Sequence, residues 1–170
     1  EIIVMAQSGT MTQQEFSADQ IDSIDYVGGT LRVFTSETSS STKNYKIGSA
    51  TLVYNGTVIT PADYQASSKY DENVSFNEFI SPEVGNIEIV DYDSDGECDV
   101  LFVNSYETML VTNATSSRLS GMVNGVAAEP IENLDDNSKT VTVTKAGSVA
   151  TVRNLRRNDV ASIKRNIDDS

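Results

Sequence analysis

The sequence predicts a mainly β chain: an antiparallel sandwich or one or more small barrels, with little helix. Three observations carry that expectation. Short runs rich in Val, Ile, Thr and Tyr recur along the chain, several with apolar residues at alternate positions. Two Asn-Gly pairs, at 55–56 and 124–125, lie inside such runs. Asn-Gly readily supplies the two positive φ angles that a tight type I′ hairpin requires. Only three prolines interrupt the chain, and clusters of Ser, Thr, Asn and Asp separate the apolar runs. A length of 170 residues suits a single β-rich domain over 1–170, or two small β subdomains over about 1–83 and 84–170.

Residues 1–7, a short apolar run from Glu1 to Gln7, read as a strand. Thr12 followed by Glu15 fits a capping box and allows a weak helix over 12–22. An extended segment through Ile21, Ile24 and Tyr26 is the rival reading. Leu31 to Phe34 reads as a strand, Ser39 to Thr42 as a polar turn, and Tyr45-Lys46-Ile47 as the start of the next strand. Thr51 to Ile59 reads as a hairpin turning at Asn55-Gly56. The polar stretch 60–83, with Pro61 and Pro82, is expected to be a long surface loop with a short helix near 61–66. Strands follow at 84–90, 100–103 and 108–112. The last third repeats the texture. Met122 and Val123 approach the second Asn-Gly, Thr140 to Thr144 alternate in period two, Lys145-Ala146-Gly147 turns into 148–152, and Val160 and Ile163 close the series. No internal repeat is evident, which argues against propellers and solenoids.

Charge and composition exclude several functions. The net charge is −13. Residues 1–152 carry 22 acidic and 7 basic side chains, whereas residues 153–170 carry 3 acidic and 5 basic. An acidic body does not suit nucleic acid, where Lys and Arg must neutralise phosphates, nor an anionic membrane surface. No run approaches the roughly 20 apolar residues of a membrane-spanning helix. The opening residues lack the basic start and long apolar centre of a secretory signal. The absence of an initial Met reads as a processed product or part of something longer. There is no histidine and only one cysteine, Cys98. Zinc sites built on His or several Cys, and Ser-His-Asp or Cys-His catalysis, are thereby excluded. Cys98 reads as structural, with a thiol pKa raised by the carboxylates around it.

One segment carries chemistry. Between apolar strands stand Asp91, Asp93, Asp95, Gly96, Glu97 and Asp99. Carboxylates occupy loop positions 1, 3, 5 and 9, and glycine occupies position 6. Calcium takes six to eight hard oxygen ligands. Alternate residues of a tight loop can aim their side chains at one centre, and Gly96 allows the sharp turn that returns the chain. The expected ligands of a single structural Ca2+ are Asp91, Asp93, Asp95, Asp99 and the main-chain carbonyl of Glu97. The alternative is a solvated acidic turn. The pattern departs from an EF-hand, because position 12 is Phe102 and both flanks are β-type. The spacing Asp-x-Asp-x-Asp-Gly-x-x-Asp between two strands resembles the calcium loops of integrin-type β-propeller (FG-GAP) repeats, here in one copy.

Two other features each have a functional and a bland reading. Paired carboxylates can run glycoside hydrolysis. With 25 acidic residues such pairs arise by chance, and without Trp only Tyr54, Tyr64, Tyr70, Tyr92 and Tyr106 remain as sugar-stacking platforms. The basic cluster Arg153, Arg156, Arg157, Lys164 and Arg165 reads either as a solvated face or as a dock for an acidic partner, a neighbouring copy included.

Tyr45-Lys46-Ile47, Leu52 to Gly56, the stretch from Gly85 to Glu107, and Leu155 to Ile163 follow one another along the chain. In that order they resemble a β-rich module of Gram-positive surface-layer-type proteins and of phage virion or tail proteins. The Asp loop followed by an apolar strand and Ser105-Tyr106-Glu107 is the most specific of these segments. The resemblance implies a non-enzymatic, extracellular building block whose partners are other protein subunits of an assembly, its own copies included. A calcium-dependent carbohydrate- or receptor-binding (adhesion) module, with a glycan as partner, is the second expectation. A carboxylate-pair hydrolase is the third.

Overall fold

A computed structural model describes residues 11–36, 38–137 and 140–167. The strand expected over residues 1–7 lies outside them. Among the described residues, no helix is long and apolar enough to cross a membrane. The chain is mainly β, with several antiparallel sheets and, among the described residues, no closed barrel. It forms two compact units, one ending at Tyr106 but regaining Asn166 and Ile167, the other running from Glu107 to Arg165.

The first unit begins with β1 (Thr12–Ser17), a 3-10 turn (Ala18–Gln20) and β2 (Ile21–Asp25). Of the two readings of 12–22, the weak helix is limited to the 3-10 turn at Ala18–Gln20, and the extended one holds at Ile21–Asp25. Residues 12–17 instead pair antiparallel with β7 (Gly85–Asp91), from Thr12 opposite Asp91 to Ser17 opposite Asn86. That partner lies some seventy residues away, so a local capping signal cannot register it. β3 (Thr30–Phe34) and β4 (Thr42–Lys46) complete a three-stranded sheet with β2. Tyr45 and Lys46 therefore end a strand that was expected to start there.

β5 (Thr51–Tyr54) and β6 (Thr57–Val58) form the expected hairpin. Asn55 has φ 48° and Gly56 φ 91°, the left-handed pair that a type I′ turn demands. β5 then pairs in parallel with β8 (Val100–Ser105), completing the order β1-β7-β8-β5-β6. This sheet takes strands from both sides of residue 83.

Leu31 and Val33 of β3 pack in one buried cluster with Leu52, Ile87, Ile89, Leu101 and Val103 of the larger sheet. The stretch 60–83 is more than a surface loop. It holds α1 (Pro61–Ala66) and α2 (Phe76–Phe79). α1 starts at an N-cap Thr60 whose side chain accepts from the Asp63 N–H, with Pro61 at its first turn. Tyr64 and Ile80 are buried. The Tyr64 ring stacks on Phe79 at 4.3 Å, and its hydroxyl donates to the Val74 carbonyl at 3.1 Å.

The second unit contains β9 (Glu107–Ala114), β10 (Leu119–Val123), β11 (Val126–Ala127), β12 (Val143–Lys145), β13 (Ser148–Ala150) and β14 (Val160–Ile163). Its four-stranded sheet runs β11-β10-β9-β14, antiparallel throughout. Asn124 and Gly125 turn the β10–β11 hairpin at φ 50° and 79°. The alternating run 140–144 contributes only its last two residues to β12. One face of the sheet is buried through Met109, Val111 and Leu119. Val152, Leu155, Ile131 and Leu134 pack on that side.

Candidate metal centre

The candidate site lies where β7 hands over to β8. Val90 and Val100 are the last paired residues of that hairpin, and the Asp99 N–H donates to the Val90 carbonyl at 2.8 Å. Everything between is a nine-residue connection closed at its base by β pairing. Two further bonds pin its descending arm to β4 and β5 of the same chain. The Cys98 N–H donates to the Lys46 carbonyl at 2.9 Å, and the Thr51 N–H to the Asp99 carbonyl at 2.8 Å.

Within the loop, carboxylates hold the backbone. Asp91 accepts from the Ser94 N–H at 2.6 Å on one oxygen and from the Gly96 N–H at 3.0 Å on the other. Asp93 accepts from the Asp95 N–H at 3.2 Å, and Asp95 from the Glu97 N–H at 2.8 Å. Asp99 accepts from the Tyr92 N–H at 2.8 Å, reaching back across the loop. Short Asp side chains close such local turns readily. Ser94 at φ 63° and Gly96 at φ 85° supply the left-handed residues that curl the chain around Asp91.

The result gathers three side chains. Asp91, Asp93 and Asp99 each offer a carboxylate oxygen, and the three atoms lie within 4.8 Å of one another. Asp91 and Asp99 are half-buried and Asp93 is exposed. Like charges this close repel by on the order of 1 kcal/mol per pair in bulk water, and by more where solvent is displaced. Of the five expected ligands, Asp95 and Glu97 stand outside this group. Asp95 is exposed. The Glu97 carboxylate faces Lys46 Nζ at 2.9 Å; the ligand expected from this residue is its main-chain carbonyl, not this side chain. The cluster is all-oxygen and anionic, which suits a hard cation such as Ca2+.

Cys98 is buried against this loop with its Sγ donating to the Val100 carbonyl at 3.0 Å. Burial, with smaller contributions from Asp99 and Asp91, pushes its thiol pKa up to about 11. Tyr54 and Tyr64, two of the five tyrosines that the sequence offers as sugar platforms, are core residues.

No family model matches the chain, and no curated protein or solved structure matches it.

Proposed function

We propose that this protein is a non-enzymatic structural module of an extracellular assembly, a phage particle or a bacterial cell surface, braced by one calcium ion at the β7–β8 loop. Asp91, Asp93 and Asp99 would bind the ion directly, with Asp95 and the Glu97 carbonyl completing the shell. The convergence of three carboxylates on one point carries the metal reading. Their mutual repulsion is relieved by a cation, and the loop's backbone already holds them in place. The assembly reading rests on the sequence resemblance. Its partners are protein subunits, further copies of this chain among them.

Thermal melts in chelator and across a calcium titration test the metal reading. A ligand that binds only the folded chain adds RT ln(1 + [L]/Kd), about 2.7 kcal/mol at a hundredfold excess. A saturating rise of several degrees is expected, much smaller with magnesium. Two variants separate ligand from scaffold. Asp91 holds two backbone N–H groups, so Asp91→Ala should lower the midpoint even in chelator. Asp93 holds one, at 3.2 Å, so Asp93→Ala should matter chiefly in calcium. Equal melting of Asp93→Ala and parent in saturating calcium would overturn the site.

A further inference from the structure

The sheet β11-β10-β9-β14 has a second face, opposite its core. Met109 and Val111 of β9 point inward and are fully buried, so Thr108, Leu110 and Thr112 point outward. Register extends that face across all four strands. Leu110 stands opposite Val160 on one side and Met122 on the other, and Met122 stands opposite Ala127. Directly opposed residues share a face. Val160, Leu110, Met122 and Ala127 thus form one apolar row about 14 Å long, from three inter-strand spacings.

The row is open. Val160 is 70 % exposed and Leu110 39 %. Neither Leu110 nor Met122 belongs to the buried cluster of this unit. The outward positions flanking the row on β9 and β14 are Thr108, Thr112 and Ser162, so it has no charge within it. A row of exposed apolar side chains without charge is a surface that a partner can cover.

Charge says what fits there. Residues 1–106 carry seventeen acidic and four basic side chains, a net of −13. Residues 107–165 carry six acidic and eight basic, a net of +2. Exposed Arg156 and Arg157 lie just before β14, where the Asn158 N–H donates to the Val111 carbonyl at 2.8 Å. Lys164 follows the strand's other end. The apolar row is therefore bracketed by cations along β14. Contact between two acidic units is repulsive, whereas contact between this face and an acidic unit is attractive.

We infer that the outward face of β11-β10-β9-β14 docks onto the acidic first unit of a second copy of this chain. The inference deepens the assembly reading by naming a partner and a surface, and it is independent of the metal. Such a contact joins two different surfaces. It leaves one of each unsatisfied at the ends, so it propagates into rings or open chains.

Sedimentation velocity of the full chain, over rising concentration at low and at high salt, tests this. The mass should climb above the 18.4 kDa monomer with concentration, and fall back at high salt as the charges are screened. Leu110→Glu should weaken association about tenfold or more, from losing one buried leucine contact. Arg156→Glu with Arg157→Glu, outside the strands, should do likewise while leaving the sheet and its far-UV spectrum unchanged. Leu110→Glu keeps its acidic unit, so added in equal amount to the parent it should cap chains and shorten them. A monomer at every concentration overturns the inference. So does parent-like association of both variants. A Leu110→Glu chain that leaves the parent's distribution untouched overturns the two-surface geometry. A calcium-dependent rise in melting alongside a strict monomer sinks self-docking alone, leaving other subunits as partners.

Discussion

Cys98 lies between Glu97 and Asp99 in sequence, yet its side chain faces the core, 4 % exposed. The sequence leads one to expect a raised thiol pKa from the neighbouring carboxylates. The direction holds, but burial is the main cause and Asp99 and Asp91 add less. Residue order shows which charges are near; it does not show which way a side chain turns. The consequence is a specific pH dependence. A thiol whose folded pKa is about 11 against an ordinary 9.0 binds its proton more tightly in the folded chain. Stability is unaffected below pH 9 and falls as pH rises from 9 towards 11, where only the unfolded chain has ionised. Urea midpoints of parent and Cys98→Ala across that window should converge, because the variant lacks this slope. Parallel curves would mean that the thiol is not held in its neutral form. At pH 8 the folded thiol holds about a hundredfold less thiolate than the unfolded one, so alkylation should be correspondingly slow.

Among the elements, the β7–β8 hairpin makes two different demands on glycine. At the head of β7, Gly85 has φ 135°, and a Cβ there would sit 1.9 Å from the Asn104 carbonyl oxygen. In the loop, Gly96 has φ 85°, and no described residue comes within 4 Å of such a Cβ. Gly96→Ala should therefore cost only the left-handed penalty, about 1–2 kcal/mol. Gly85→Ala adds a clash with rigid backbone at the end pair of the β7–β8 ladder and should cost at least about 3 kcal/mol. Urea denaturation in chelator measures both, and equal costs would contradict the close approach at Gly85. The loop and the two Asn-Gly hairpins were legible in the sequence because each closes on residues a few positions apart. Strand β1 was not, since it forms only against β7. The parallel pairing of β5 with β8 was equally hidden, because Leu52 and Leu101 meet with almost fifty residues between them. Helix α2 and the burial of Tyr64 escaped for the same reason: both depend on a core assembled from distant strands.

At the scale of the whole molecule, each unit has its own apolar core. One is built on Leu31, Leu52, Ile87 and Leu101, the other on Met109, Val111, Leu119 and Val152. The carboxylate triad belongs wholly to the first, at the end of strands that carry its core residues Ile87, Ile89 and Leu101. An ion bound there stabilises only those states in which β7 and β8 remain paired. Local and sub-global openings differ in free energy from one cooperative region to another, and hydrogen exchange resolves them. If the two units open independently, calcium should slow exchange of amides in β5, β7 and β8 while leaving those of β9, β10 and β14 unchanged. Val111→Ala supplies the reciprocal perturbation. Val111 is fully buried, and trimming it removes packing from the second core at a cost of about 1–3 kcal/mol. That loss should accelerate exchange in β9, β10 and β14 alone. A calcium effect of equal size in both sets of strands would mean that the chain unfolds as one cooperative body, with the loop bracing both cores. Confinement to the first set would make the metal a local clamp on the acidic unit, leaving the second unit's sheet free to act through its outward face whether or not the ion is bound.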